Sequence, residues 1–361
     1  MSAPIPDPTA TTPWLVRIPD VFEGFTAEIL KATGGKTGTR LGSGYHLIHL
    51  ADPSSLRGSD AAMFLRWNLP VEHSWPCNPQ KMDGFIEKAA QTLLRKFGNR
   101  QPQALLIGLL DPSSSNRYYK TLASNLRGRA LQLFPAFPVA PNDAEAQNAT
   151  KPTLFCLIGK EGLFAGMQSP QESNGFYPGG TKFISQNAPD TISRAGAKIA
   201  EALHYLLLHR PPMNPGSHWL ELGASPGGMT SELLKRGHRV TAIDRAVLDS
   251  RLDREPNLRF IHSDVASFRP PSATTFDALL SDLNGDSLES LQQVLQLSAN
   301  LTEGGLVVFT LKTAGITTFE ETIRLYQEAL RRADAAGLHL IARTHLTYNR
   351  QEFTLFFERM R

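Results

Sequence analysis

The sequence predicts an α/β protein: a mainly parallel sheet with helices on both faces in the C-terminal half, preceded by an α+β region. Three observations carry this. From His218 onward, apolar runs of strand length alternate with amphipathic helical stretches, the pattern of a sheet covered by crossover helices. A glycine-rich turn, Gly223 to Gly228, joins the first of these strands to a helix, and a second apolar strand then ends on Asp244. Charged residues (Asp244, Asp264, Asp282 and Lys312) stand at the carboxyl ends of successive strands, where open α/β sheets hold their ligands.

Taken in order, the chain opens with a Pro-, Ala- and Thr-rich stretch, Met1 to Thr12, expected to be disordered. Strands are expected at Trp14–Ile18 and Tyr45–Leu50, a helix at Phe22–Ala32, and a strand or short helix at Ala61–Trp67. A helix over Met82–Phe97 and an apolar strand at Ala104–Leu110 follow. The stretch Pro112–Leu133 carries Arg117, Tyr118, Tyr119, Lys120, Arg127 and Arg129 on a helix, so cations could meet phosphates while tyrosines stack on bases. The plainer alternative is a solvated face with both tyrosines turned to the core. Pro135–Pro152 reads as a loop, Thr153–Ile158 as a strand with a hairpin return through Gly162–Gly166, and Gln168–Pro189 as a polar connection.

Ser193 is expected to cap a helix from Arg194 to about His209, stopped by Pro211 and Pro212. Beyond the strand, turn and helix unit come strands at Leu258–His262, Phe276–Ser281, Leu306–Leu311, Leu338–Thr344 and Phe353–Glu358. Helices are expected at Leu288–Asn300 and Phe319–Ala336.

Composition narrows the class. A 361-residue chain with 41% apolar residues is ordinary for a globular protein of two or three domains. Cys77 and Cys156 form neither a metal-binding spacing nor a disulfide framework, and no apolar run reaches membrane-spanning length, so a cytoplasmic location is expected. The net charge of +3 is too small to argue for nucleic acid by itself, and its excess lies in the N-terminal half.

The glycine-rich turn is not a dinucleotide fingerprint. It reads Gly223-Ala224-Ser225-Pro226-Gly227-Gly228, with serine where that fingerprint has its second glycine and a proline that offers no N–H to a phosphate. Such a turn suits a nucleoside without phosphates, and S-adenosylmethionine is one. Gly223, Ser225, Pro226, Gly227, Gly228 and Met229 are the expected lining, with Asp244 for the ribose hydroxyls, Asp264 for the adenine amine and Asp282 at the next strand end.

Five segments together resemble a known family: Ser193-Arg194-x3-Lys198-x2-Glu201-Ala202, Leu222–Gly228, Ser281-Asp282-Leu283, Leu311-Lys312 and Arg350-Gln351-Glu352-Phe353. They are similar to the FtsJ-like ribose 2′-O-methyltransferases, and the resemblance covers roughly residues 190–361. It implies a Rossmann-like class I methyltransferase domain with a seven-stranded sheet, S-adenosylmethionine as cofactor, no metal, and a Lys-Asp-Lys-Glu tetrad at Lys198, Asp282, Lys312 and Glu352. Fainter upstream likeness, at Asn174-Gly175-Phe176-Tyr177 and Thr153–Ile158, implies the subgroup that bears a THUMP module and acts on a cytidine of 23S rRNA. The implied layout is a tail at 1–12, a ferredoxin-like subdomain at 13–75, a THUMP-like RNA-binding domain at 76–185 with Arg117, Lys120, Arg127 and Arg129 as its candidates, and the methyltransferase domain at 186–361. Met229, where the family has a bulky aromatic, and Ala195, where it can offer a hydroxyl, depart from the pattern.

The chemistry follows from the residue types. A ribose hydroxyl is a poor nucleophile and needs a base as the methyl arrives in line. A lysine can be that base if a second cation beside it makes its proton easier to lose. Lys312 is the expected base and Lys198 the neighbouring cation, with Asp282 and Glu352 placing the two amines. A nicotinamide oxidoreductase would share the sheet and Asp244 but leave the paired lysines unexplained. A non-catalytic RNA-binding relic of the family, or an enzyme acting on another RNA, are the remaining alternatives.

Overall fold

The computed structural model describes residues 12–75, 81–113, 115, 117–141, 143–185, 190–271 and 273–360. Cys77 and the stretch before Thr12 lie outside them. The chain divides into two units, residues 1–181 and 182–361.

The first unit is built on two four-stranded sheets. One comprises β1 (Thr12–Arg17), β2 (Lys36–Leu41), β3 (Tyr45–Leu50) and β4 (Trp67–Pro70), in the order β2-β3-β1-β4 and antiparallel throughout. Helices α1 (Thr26–Ala32) and α2 (Ser55–Gly58) interrupt it to give a β-α-β-β-α-β chain order. The other sheet comprises β5 (His73–Trp75), β6 (Leu105–Leu109), β7 (Thr153–Gly159) and β8 (Gly162–Gln168), ordered β5-β8-β7-β6 with β6 parallel to β7. Its helices α3 (Met82–Phe97) and α4 (Arg117–Leu133) bury Phe85, Leu93, Leu122 and Leu126 against it. Trp67, Leu69, Phe155 and Leu157 form the apolar contact between the sheets.

Two expectations in this unit need revision. Phe22–Ala32 is not one helix: a 3-10 turn, Asp20–Phe25, precedes α1 and turns Phe22 edge-on to Phe64, with ring centroids 5.1 Å apart. Ala61–Trp67 splits into a 3-10 turn at Asp60–Phe64 and the start of β4.

The second unit holds α5 (Ala195–Leu206), β9 (His218–Leu222), α6 (Gly228–Lys235), β10 (Arg239–Asp244), β11 (Leu258–His262) and β12 (Phe276–Ser281). It continues with α7 (Ser287–Ser298), β13 (Leu301–Lys312), α8 (Phe319–Ala335), β14 (Leu338–Thr344) and β15 (Glu352–Arg359). The strands make one sheet ordered β11-β10-β9-β12-β13-β15-β14. The pairs from β11 to β13 are parallel, and β15 runs antiparallel to both neighbours. Strand order reverses between β9 and β12, so the carboxyl ends of those two strands open the crevice where such sheets bind ligands. The sheet is sealed by side chains excluded from water, among them Trp219, Leu220, Leu279, Phe309 and Phe356. That rigid floor is what can hold strand-end side chains in fixed positions.

Candidate active site

The turn after β9 is shaped by close approach. Gly223 has φ +78°, and a Cβ there would come within 3.0 Å of Leu283, so glycine is required both by the backbone and by the neighbouring loop. The next amides meet Asp244: Ser225 N donates to one carboxylate oxygen at 2.9 Å and Ala246 N to the other at 2.8 Å. Each oxygen keeps further acceptor capacity. Asp264 accepts from Ala266 N at 2.9 Å, capping a short 3-10 turn, and has Arg245 at 3.6 Å. Between these acids lies a cleft of about 400 Å³, lined by Gly223, Ser225, Asp244, Asp264, Asp282 and Asn284 among others.

Five of the nine residues expected to line the cofactor therefore reach this cleft, and Pro226, Gly227, Gly228 and Met229 are not among its lining residues. Packing explains the two glycines. A Cβ on Gly227 would strike Leu252, and one on Gly228 would strike Ser193 and approach Gly196 N at 3.2 Å. Gly228 thus lets α6 lie close against the start of α5. Met229 is buried. Ser193 does not cap α5 as expected; its hydroxyl is buried against Gly228 with no hydrogen-bond partner among the described residues, and the helix starts without a side-chain cap.

Four charged side chains from α5, β12, β13 and β15 converge beside the cleft. Lys198 Nζ lies 3.0 Å from Asp282 Oδ1 and 2.7 Å from Glu352 Oε1, and its side chain is only 9% exposed. Lys312 Nζ is 3.5 Å from the same Asp282 oxygen. It also donates to the Asp282 carbonyl at 3.2 Å and to Asn284 Oδ1 at 2.7 Å. Lys312 and Glu352 face each other across the β13–β15 pair, so one strand register places both. The two lysines differ in kind: Lys198 is held between two carboxylates, whereas Lys312 rests on one longer ion pair and two neutral acceptors.

Supporting contacts hold this arrangement, and several were missed from sequence. Ser287 exchanges hydrogen bonds with the backbone of Lys312, accepting from its N–H at 2.8 Å and donating to its carbonyl at 2.7 Å. Asn284 has no sequence signal beyond following a strand-end Asp. Glu201, one turn beyond Lys198 on α5, is buried and accepts from Thr347 N at 2.8 Å and Thr347 Oγ1 at 2.7 Å. Asn349 Nδ2 then donates to the Glu352 carbonyl at 3.2 Å. The segment leading into β15 is therefore clamped to the helix that carries Lys198.

Beneath the turn, Glu221 on β9 is buried and accepts from Thr230 Oγ1 at 2.7 Å. Burial pushes its carboxyl up to about 8; the Thr230 bond opposes this, and the negative charges of Asp282 and Asp244 add to it. Because the folded value lies above the ordinary one of 4.5, Glu221 contributes stability below that value and loses it as pH rises through about 8. Urea unfolding between pH 6 and 9 should therefore show the parent losing stability faster than Glu221→Gln, by at most about 1.4 kcal/mol per pH unit. Parallel pH profiles would show that Glu221 does not hold a proton there.

The N-terminal basic candidates fare unevenly. Arg117 and Lys120 are exposed on α4, but Arg129 is committed to Glu87 of α3 through bonds of 2.7 and 3.2 Å, and Arg127 is half-buried. Tyr118 and Tyr119 pack against the core, which agrees with the plainer reading of those two rings. A cavity of about 660 Å³ in this unit, beside Arg40, Tyr119, Lys160 and Glu161, contains none of the tetrad residues.

Residues 191–333 match the family described as FtsJ-like methyltransferase. Ribosomal RNA large subunit methyltransferase M of Halorhodospira halophila is 33% identical over 181 residues, covering 49% of this chain and 49% of that protein. The protein of the same name from Laribacter hongkongensis is 32% identical, covering 47% of this chain and 48% of its own. The chain thus spans about half the length of the curated relatives it matches. Fibrillarin from Aeropyrum pernix, solved with natively bound S-adenosyl-L-methionine, superposes at 17% identity and a TM-score of 0.36, covering 59% of this chain and 84% of that one. So loose a superposition carries no argument. Residues 191–333 thus carry a likeness to the FtsJ-like methyltransferases, and the relatives that align with this chain are named as ribosomal RNA methyltransferases.

Proposed function

We propose that this protein methylates the 2′-hydroxyl of an RNA ribose, a cytidine of 23S rRNA, using S-adenosylmethionine. The observation that carries the reading is the ion-paired group Lys198, Asp282, Lys312 and Glu352, gathered from α5, the ends of β12 and β13 and the start of β15, with Asp282 shared with the acid-lined cleft.

The cleft fits the cofactor on its own chemistry. Its volume is in the range that takes a nucleoside-sized ligand. Asp244 has acceptor capacity left for ribose hydroxyls, and Gly223 leaves open the space that a Cβ would fill against Leu283. Asp244, Asp264, Asp282, Asp286 and Glu289 make the lining acidic, which disfavours a pyrophosphate and suits a ligand with a cationic sulfonium. When bound there, S-adenosylmethionine supplies an electrophilic methyl group.

The chain's own residues do the rest. Lys312, as a neutral amine, keeps its two N–H bonds to the Asp282 carbonyl and Asn284, which leaves its lone pair for the ribose hydroxyl proton. Lys198 stays charged between its two carboxylates and stabilises the negative charge that develops on the hydroxyl oxygen. Asp282 touches both lysines and fixes their spacing.

The first unit supports an RNA-capturing role. The β-α-β-β-α-β order with its β2-β3-β1-β4 sheet supports the reading of residues 13–75 as a ferredoxin-like subdomain, apart from β5, which pairs with β8 and so goes with the proposed THUMP-like domain that follows, residues 76–185. Arg117 and Lys120 are the exposed cations on its longest helix.

Transfer of labelled methyl from S-adenosylmethionine to protein-free 23S rRNA tests the reading, with the label expected in an alkali-resistant dinucleotide. Asp244→Ala should weaken S-adenosylhomocysteine binding by about 1–3 kcal/mol in calorimetry, the scale for losing hydrogen bonds to a charged acceptor. Unchanged affinity would remove Asp244 from the cofactor site.

A further inference from the structure

One large apolar side chain in the C-terminal unit is left in water on a piece of backbone anchored to the segment that leads into Glu352. Phe183 is 74% exposed. Its neighbour Ile184 is pinned from both sides by a single phenol: Ile184 N donates to Tyr348 Oη at 2.8 Å, and that hydroxyl donates to the Ile184 carbonyl at 2.9 Å. Tyr348 belongs to the segment that Glu201 clamps through Thr347 and that ends on Glu352, 2.7 Å from Lys198. Arg350, on the same segment, is exposed. The same short run of chain thus fixes one arm of the tetrad, the backbone under an exposed ring and a free-standing cation.

Methylating a ribose requires that nucleotide to be accessible from one side. Unpaired RNA is held for such work by stacking bases on aromatic faces and meeting phosphates with cations. We propose that Phe183 is a stacking platform for an unpaired base of the RNA substrate, next to the ribose being methylated, and that Arg350 meets a phosphate of the same strand. The inference rests on the ribose-methylation reading and adds to it a place where the substrate is gripped.

Stacking and ion pairing leave different marks. In the full-length protein, titrated with a short single-stranded RNA and with protein-free 23S rRNA, Phe183→Ala and Phe183→Leu should weaken binding about 5- to 100-fold. The loss should be nearly the same at low and high salt, and Phe183→Tyr and Phe183→Trp should keep the parent affinity. Arg350→Gln should lose affinity mainly at low salt, because fewer counterions are released. S-adenosylhomocysteine should bind all of these variants like the parent, which checks their folding independently of RNA. Parent-like RNA binding by Phe183→Leu overturns this inference alone. So does an equal loss in Phe183→Trp, or weakened cofactor binding in Phe183→Ala, since each points to a structural role. A parent that binds cofactor but no RNA overturns both this inference and the ribose-methylation reading.

Discussion

Lys312→Ala should reduce single-turnover methyl transfer by about 10²- to 10⁴-fold, the usual contribution of a positioned general base. S-adenosylhomocysteine binding should stay near that of the parent, because Lys312 is not among the residues that line the cleft. Lys312→Arg should fail equally. A guanidinium keeps its proton at any workable pH and cannot accept another, so the conservative charge is not a conservative function. Asn284→Ala offers a graded companion: the amine loses its 2.7 Å acceptor but not its ion pair, so transfer should fall less than in Lys312→Ala. Parent-like transfer in Lys312→Ala would exclude this lysine as the base.

Lys198→Met should be the most destabilising change in the site. Its ammonium lies within 3.0 Å of Asp282 and 2.7 Å of Glu352 and is almost wholly screened from water. Removing it leaves Glu352 without its cation and Asp282 with only the longer pair to Lys312, and stranding buried charge in this way costs about 3 kcal/mol or more. The loss should appear in urea unfolding as a lower midpoint at an unchanged slope. Adding Glu352→Gln to Lys198→Met should recover part of it, because one of the stranded charges is then gone. Unaltered stability in Lys198→Met would mean that the pairs are solvated more than their burial indicates. Transfer should be lost in both variants, so the recovery of stability without activity separates folding from chemistry.

Much of the C-terminal sheet was legible because its central strands, such as β12, are buried on both faces and its edge strands β11 and β14 keep enough apolar residues to read as strands. Leu258–His262, Phe276–Ser281 and Leu338–Thr344 read as apolar runs and fold with those bounds. The first unit was harder. β2 lies at the edge of one of its sheets, and its sequence Lys-Thr-Gly-Thr-Arg-Leu carries little apolar signal, while β5, at the edge of the other, has only three residues. The tetrad positions came from resemblance, and what no sequence pattern could supply is their spacing. Lys198 and Glu352 meet only because α5 packs beside a strand that arrives at the end of the chain. Asn284 and Ser287 gain their meaning from reaching Lys312, and Gly228 from the helix that crosses it, so their spacing along the chain carries no signal for either. The phosphate-averse turn was readable at Pro226, whereas the bond from Ser225 N to Asp244 was not.

The central claim is ribose methylation by this site, and the position of the transferred methyl group tests it most directly. The full-length parent and Lys312→Ala should each be given labelled S-adenosylmethionine and protein-free 23S rRNA, and the RNA then hydrolysed in alkali. A 2′-O-methyl group blocks cleavage of the adjacent phosphodiester, so the parent should yield label in an alkali-resistant dinucleotide that begins with cytidine, and Lys312→Ala should yield at most about a hundredth as much in the same time. Label recovered in mononucleotides, which places the methyl on a base, or equal labelling by the variant, would contradict the account.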